Sequence, residues 1–564
     1  MNADRLLIAA FVVLIAALTF YFPGHTWLQA DTQIYIPLIE HIDNPAALSR
    51  DFLVSNTHLA FTLYDEIARA LHRLTGASYE SVLIFQQAIT RALGVLGIYL
   101  LAAAMPMARK MALLVAALAS LGTLLAGPAV LTIEYEPTPR AFALPLVLLA
   151  IGLSAHDRQV AAAIAASCAF LYHPPTAAPF WLLFFPWLFV RGAYRAMLPF
   201  AAAAVVLLVS SRLQAGATEP QAFLWRISPW LESVQRYRAP YNWIGAWGWR
   251  LLAQYTLLWA VAMAAYRRVR PQRGRLFLIG LPLVGLLSIP FSWLSLDVLK
   301  WGLIPQLQPA RAALFIELFA VVLTAAAGVR AAYAGKLVES CAWFLVPFLL
   351  PVQPRIFEMM PLRQWAVVLL LAVGTVAAIS LSRRRATHLA VLAYAVVPFF
   401  AIPLSAGVEN YPALHTPEIE QLVNWARANT PPDAMFVFPD AGHDLYPGVF
   451  RAEAERALYV DWKSGGQVNY YDSMARIWLR RWQRVRNYDP AALPALCAAG
   501  VNYIVLDREH ALPGTAPVFQ NAAFVVYRCP LESYALPASA RLPERAGSDA
   551  TPPQKRSIER TTSK

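Results

Sequence analysis

Long apolar runs broken by short basic turns dominate the first 405 positions of the chain. A helix that crosses about 30 Å of hydrocarbon needs roughly 17–25 residues. Runs of that kind lie near 6–22, 81–104, 111–127, 140–155, 159–172, 175–190, 196–211, 250–266, 276–294, 311–329, 338–352, 365–381 and 389–405. They predict about thirteen helical spans, because a segment inside lipid must satisfy its own backbone polar groups. After about 406 the pattern changes. "TPEIEQLVNWARANTPPDA" has a capping Thr416, helical spacing of Ile419, Leu422, Val423 and Ala426, and a stop before Pro431. "MFVFPD", "ALYVDW", "YIVLD" and "FVVYRC" read as short strands, with helical stretches near 470–486 and 490–499. The expected organisation is a polytopic α-helical membrane domain over 1–405, a small α/β domain over 406–545 and a disordered, Pro/Ser/Thr-rich tail over 546–564. No internal repeat is evident.

Composition supports the membrane assignment. The 564 residues are 58% hydrophobic and 14% charged, with mean hydropathy +0.47. Ordinary globular domains have about 45–50% apolar and about 25% charged residues. The net charge of +13 does not point to nucleic acid, since the basic residues sit in short clusters between apolar runs. These clusters include Arg109 with Lys110, Arg158, Arg191 with Arg195, Arg267 with Arg268, Arg330 with Lys336, and Arg383 with Arg384. The positive-inside rule makes those turns cytoplasmic and puts the long connections around 23–80, 212–249 and 295–310 outside. An odd span count then carries the α/β domain to the periplasmic side of a bacterial inner membrane, with the N-terminus cytoplasmic. The first run follows Arg5, but "HTWLQA" offers no clear cleavage site, so it reads as a retained helix. The aromatic stretch 219–249 is either a re-entrant or interface-lying helix or a plain aromatic belt. Four cysteines give neither a disulfide scaffold nor a CxxC metal pattern. Cys497 and Cys529, both in the outer domain, either pair in that oxidising compartment or stay as buried thiols.

Candidate chemistry gathers at the outer ends of several spans. "HTWLQADTQIYIPLIEHIDNPAALSRDFL" places Asp31 a few residues beyond the first span, followed by Tyr35, Asp43, Arg50 and Asp51. A carboxylate held beside apolar walls is expected to have its pKa raised by desolvation and to act as a base. The same acids could simply solvate an external loop. "LTIEYEPTPRAFALPL" brings Glu134, Glu136 and Arg140 to the mouth of another span, as a site or as a helix-joining ion pair. His173, before two prolines, is a ligand contact or an ordinary helix terminus. Arg311, in "IPQLQPARAAL", and Arg140 are suited to hold a phosphate through paired hydrogen bonds. All of these groups share one side of the membrane.

Together "ADTQIYIPLIEHIDNPAALSRDFL", "EYEPTPRAFALPL" and "LVNWARANTPPDAMFVFPD…RALYVDWKSG" resemble an uncharacterised bacterial group within the GT-C superfamily of glycosyltransferases. The resemblance covers most of the chain. It implies inverting transfer of a sugar from a polyprenyl-phosphate donor to a glycan, lipid or protein acceptor on the periplasmic face. Asp31 would be the base, and Arg140 and Arg311 would hold the donor phosphate. Tyr35, Asp43, Asp51, Glu134, Glu136 and His173 would support the substrates. Many members carry a paired acid in the first loop. Here Asp31 is flanked by Ala30 and Thr32, with Gln33 next, so no motif supports a divalent cation and no metal ligand is assigned. The alternatives are a non-catalytic protein of the same fold in envelope glycan assembly, or a transporter or flippase.

Overall fold

A computed structural model describes residues 3–55, 62–213, 223–384, 389–408 and 414–530; the tail 546–564 lies outside the described residues. From the N-terminus, α1 (Ala3–Thr19) is followed by α2 (Thr32–Asp43) and α3 (Tyr64–Thr75) in the first long connection. The apolar series continues with α4 (Tyr79–Ala103), α5 (Arg109–Ala119), α6 (Pro139–Ala155), α7 (Gln159–Tyr172), α8 (Pro174–Val190) and α9 (Leu198–Leu213). The next long connection holds α10 (Pro229–Arg238), before α11 (Trp249–Val269) and α12 (Arg275–Ser292). A short α13 (Ile304–Leu307) leads to α14 (Leu314–Tyr333), α15 (Leu337–Val352), α16 (Leu362–Arg384), and the broken pair α17 (Leu389–Tyr394) and α18 (Val397–Ala401). A helix thus stands on each expected apolar run. Among the described residues, six helical segments are long and apolar enough to cross a membrane by length and composition.

One run departs from the sequence expectation. The stretch 111–127 reads as a single span, yet α5 stops at Ala119 and a hairpin follows, β1 (Leu124–Leu125) antiparallel to β2 (Val130–Leu131). Gly122 and Gly127 both have positive φ, +72° and +76°, a region that glycine enters without steric cost. Eleven residues of helix rise only about 16 Å. From Met111 to Ala119 this helix is entirely buried. The turn that follows, residues 120–123, is buried as well, while Leu124 is 47% exposed; inside a membrane, non-helical backbone is tolerated where protein covers it.

The bundle is organised around α14, which is buried along its whole apolar segment. Beside it, α4 and α6 meet through small residues. A Cβ added at Gly97 would lie 2.4 Å from the Leu148 carbonyl, and one at Gly152 would lie 2.4 Å from the Gly97 carbonyl oxygen. Small residues let membrane helices bring their backbones together. Gly97→Ala should therefore cost about 1–3 kcal/mol through overpacking. The check is the thermal midpoint of the purified protein, which should fall relative to wild type.

The C-terminal domain comprises α19 (Pro417–Asn429), β3 (Met435–Val437), α20 (Tyr446–Ala454), β4 (Ala457–Leu458), α21 (Asp472–Val485), α22 (Leu493–Ala498), β5 (Tyr503–Asp507), β6 (Phe519–Gln520) and β7 (Phe524–Arg528). Thr416 caps α19 by accepting from the Ile419 amide at 3.3 Å, as its sequence suggests. The sheet order is β4-β3-β5-β7-β6. β3 runs parallel to β4 and β5, while β7 is antiparallel to β5 and β6. The four β-rich runs supply four of these strands, and the short edge strand β6 is additional. Alternate residues face opposite ways. Phe436, Tyr503, Val505 and Val526 pack with residues of α19, α20 and α2. On the other face, Met435, Val437, Ile504 and Leu506 pack with α21 and α10. The aromatic connection around 219–249 therefore serves partly as a cover, with Leu231 and Val234 of α10 in the same cluster as Trp478. Cys497 and Cys529 are joined as a disulfide.

Buried charge ties this domain to the first connection. Arg451 is fully buried and pairs with Asp461 at 2.9 Å and with Asp51 at 3.9 Å. Its other Nη donates to the Gln33 carbonyl at 3.0 Å. Asp51 also accepts from the Leu458 amide at 2.9 Å.

Candidate active site

The segment between α1 and α2 is held by one carboxylate from another loop. Glu136 accepts from the amides of Gln29 (2.7 Å), Ala30 (2.6 Å) and Thr32 (3.1 Å), and from the Thr32 hydroxyl (2.7 Å). It is buried, and an unpaired charge there would be costly. These four bonds offset that cost and fix the backbone on both sides of Asp31. Burial, then the nearby Asp31 charge, push the Glu136 carboxyl up, against Lys463 and the Thr32 bonds.

Asp31 projects from this loop into a cluster of cations. Its Oδ2 accepts from Arg140 at 2.9 Å and its Oδ1 from Lys463 at 2.6 Å. Arg140 also holds Glu134, Nε to Oε1, at 2.9 Å. Asp31 is the most open member, 28% exposed against 10% for Arg140, 14% for Lys463 and 5% for Glu134. Burial pushes its carboxyl up, but Lys463 and Arg140 outweigh burial and hold it well below the usual carboxylate range. This reverses the expectation of a raised pKa. Opposite charge beside a carboxylate favours its ionised form, and the sequence gives no hint that a lysine from the distant domain arrives there.

Arg311 lies in the 3-10 turn Pro309–Ala313 just before α14. Its guanidinium makes no ion pair or hydrogen bond among the described residues, and its Nε is buried without a partner. The charges and phenols acting on it are Arg140, Tyr241, Asp31 and Tyr470. Tyr35 of α2 faces the same group, with burial and then Asp31 pushing its phenol well up. Burial pushes the Tyr470 phenol up to about 12, so it too is a neutral hydrogen-bond donor near pH 7. Next to Arg140 and Glu134 opens a narrow cleft with apolar walls that include Val95, Ile98, Leu144, Leu148 and Leu318.

The structure thus assembles Asp31, Tyr35, Glu134, Glu136, Arg140 and Arg311. The other expected site residues have different surroundings. Asp43 pairs with Arg69 and Arg73, each at 2.9 Å, and takes a hydrogen bond from Tyr79. Asp51 belongs to the Arg451 anchor. His173 caps α8 by accepting from the Thr176 amide at 3.2 Å. Lys463, Tyr470 and Tyr241 were not legible as site residues. Lys463 lies 432 positions from Asp31, so no local spacing relates them; only the "DWKSG" run hinted at that region. Arg238 positions it, donating to the Trp462 carbonyl at 2.9 Å and the Lys463 carbonyl at 3.3 Å.

A divalent cation does not fit this donor set. Both oxygens of Asp31 face cationic side chains. The Gln33 amide nitrogen donates to the carbonyls of Leu28 (2.7 Å) and Leu445 (2.9 Å), and its Oε1 is buried without a partner among the described residues.

Residues 417–485 match a family described as a domain of unknown function, DUF6798. No curated protein matches the chain. Among solved structures it is similar to ArnT from Cupriavidus metallidurans in the apo state, with 15% identity and a TM-score of 0.45 over 93% of this chain and 98% of that one. ArnT bound to undecaprenyl phosphate gives 14% identity and a TM-score of 0.42 over the same shares of the two chains, 93% and 98%. The archaeal oligosaccharyltransferase AglB from Archaeoglobus fulgidus, in complex with an inhibitory peptide and a dolichol-phosphate, is similar at 14% identity and a TM-score of 0.39, over 90% of this chain and 70% of that one.

Proposed function

We propose that this chain is an inverting glycosyltransferase that moves a sugar from a polyprenyl-phosphate donor to an acceptor at the periplasmic face of a bacterial inner membrane. The observation that carries this reading is the unpartnered Arg311 guanidinium beside Arg140, Lys463 and Asp31. Arg311 is half-buried with its Nε cut off from water and unpartnered, and a partly desolvated cation lacking a direct counter-ion favours binding an anion. A lipid phosphate supplies that anion, and the apolar cleft beside Arg140 suits the first isoprene units. Thirteen crossings, a cytoplasmic N-terminus and an outer α/β domain over 406–545 fit this arrangement. Support for that topology comes from the arginine clusters in the short turns, which the positive-inside rule puts in the cytoplasm, and from the Cys497–Cys529 disulfide, a bond at home in an oxidising compartment.

In the reaction, the acceptor hydroxyl oxygen forms a bond to the anomeric carbon from the face opposite the phosphate. The carbon–oxygen bond to phosphate breaks, and polyprenyl phosphate leaves with the electron pair. Asp31 takes the hydroxyl proton. Arg311, Arg140 and Lys463 stabilise the charge that develops on the leaving phosphate. Asp31 is a weak base while two cations hold it. A bound phosphate competes for those cations and adds negative charge nearby, and both effects raise its basicity. Donor binding thereby prepares the base.

The full occupancy of Asp31 by two cations favours a second reading, a lipid-phosphate-binding protein of the same fold that has no transfer step. Both readings require Arg311. Arg311→Ala should weaken binding of polyprenyl phosphate by about 10- to 150-fold, the value of a hydrogen bond to a charged group, with little loss of stability because no partner is orphaned. Titration of the purified protein with polyprenyl phosphate tests this. Unchanged affinity in Arg311→Ala would remove the phosphate from this site.

A further inference from the structure

A second constellation of ligand-type side chains lies in the C-terminal domain, where the parallel strands β3 and β5 end. Asp440 follows β3, Asp507 closes β5, and His510 ends the 3-10 turn Arg508–His510. One ligand atom from each lies within 4.8 Å of the others. His510 Nδ1 is 2.9 Å from Asp440 Oδ1, and Asp440 Oδ2 accepts the Asp507 amide at 2.8 Å. The side chain of Asp440 is only 3% exposed. The Asp507 carboxylate makes no hydrogen bond or ion pair among the described residues. Apart from burial, the groups acting most strongly on it are Asp440, His510, Glu509 and Asp444. In a chain of net charge +13, no lysine or arginine is among them. Three donors at about 2.1 Å from one ion lie up to roughly 4.2 Å apart, which small side-chain rotations reach.

We propose that Asp440, Asp507 and His510 form a divalent-cation site of mixed oxygen and nitrogen donors that fixes the adjoining loop 441–445 against the Asp31 cluster. Oxygen donors with one imidazole suit Mn²⁺ or Zn²⁺. Position also matters, because open sheets bind ligands outside the carboxyl ends of their parallel strands. The loop touches both sides of the candidate active site. The Leu445 carbonyl accepts from Gln33 at 2.9 Å, two residues after Asp31. The His443 ring packs edge-on against Trp462 with centroids 4.2 Å apart, and Trp462 precedes Lys463. A cation at Asp440 would hold that loop from its first residue. The cation site does not depend on the glycosyltransferase reading, only its link to activity does.

The test is titration of the full-length protein in detergent with Mn²⁺, followed by the spectroscopic signal of free Mn²⁺. Mn²⁺ avoids the thiols of Cys168 and Cys341, the free cysteines among the described residues. About one Mn²⁺ should bind per chain and be displaced by Zn²⁺, and it should raise the thermal midpoint, as any ligand specific to the folded state does. Asp507→Asn, which removes no hydrogen bond, should weaken binding at least about tenfold and abolish the thermal shift. His510→Gln should do the same, and Asp31→Asn should change neither. Absence of Mn²⁺ binding, equal binding in both domain variants, or loss of binding only in Asp31→Asn would overturn the proposal. The last of these outcomes would move the cation to the Asp31 cluster.

Discussion

Asp31→Asn should lower the transfer rate by about 10²–10⁴ at normal protein abundance, the range that loss of a general base produces. The substitution keeps size and one acceptor oxygen but removes the charge that Arg140 and Lys463 share. Part of the loss should be electrostatic, because two cations then repel each other without the intervening carboxylate. Abundance by blot and the thermal midpoint separate misfolding from lost chemistry. The control is Asp43→Asn. Asp43 pairs with Arg69 and Arg73 on a more open face, where such pairs contribute about 0–1 kcal/mol, and transfer should be unaffected. The pH dependence has a definite sign. With a depressed pKa in the free protein, Asp31 stays ionised as pH falls and protonates only below its ordinary value of 3.8. The kcat/KM profile should therefore lack an acidic limb from this group above about pH 4. Full activity in Asp31→Asn would remove Asp31 from the mechanism, whereas no transfer by the wild type would leave the binding protein without a transfer step as the surviving reading.

The largest stability effect should come from Arg451→Met. Arg451 and Asp51 have no exposed side-chain surface, and Asp461 has 2%. Removing the cation leaves two buried carboxylates uncompensated, and breaking such a pair costs about 3–5 kcal/mol. Asp51 comes from the first connection while Arg451 and Asp461 come from the C-terminal domain, so the loss falls on the junction between them. Limited proteolysis should release the C-terminal domain from Arg451→Met under conditions that leave the wild type intact. Arg427→Ala removes an exposed pair with Glu455 and should leave the digestion pattern unchanged. Wild-type resistance in Arg451→Met would mean that apolar packing alone holds the domain.

Apolar period and turn chemistry made the membrane helices and four strands legible in the sequence, because both depend on neighbours along the chain. The end of α5 was less visible. A run of apolar residues reads as one span, whereas the two positive-φ glycines after it act through backbone geometry. Shared depth grouped Asp31, Glu134, Glu136, Arg140, Arg311 and His173; the structure brings the first five together, while His173 caps α8. Depth does not distinguish Asp43 and Asp51 from Asp31, since it does not fix which way α2 and the loop after it turn them. The sign of the Asp31 shift was lost for a related reason. It is set by Lys463, brought in by the sheet domain over a separation of 432 residues. Glu136, grouped as a possible substrate contact, proves to be the residue that holds the Asp31 loop.

A lipid phosphate is expected in the space between Arg311 and the Asp31 cluster. An experimental structure of the full chain with polyprenyl phosphate tests it most directly. Phosphate oxygens should lie about 2.7–2.9 Å from guanidinium nitrogens of Arg311 and from Arg140 or Lys463, with the first isoprene units against Val95, Leu144 and Leu148. A phosphate bound elsewhere, with the Arg311 guanidinium still without an anion, would contradict it.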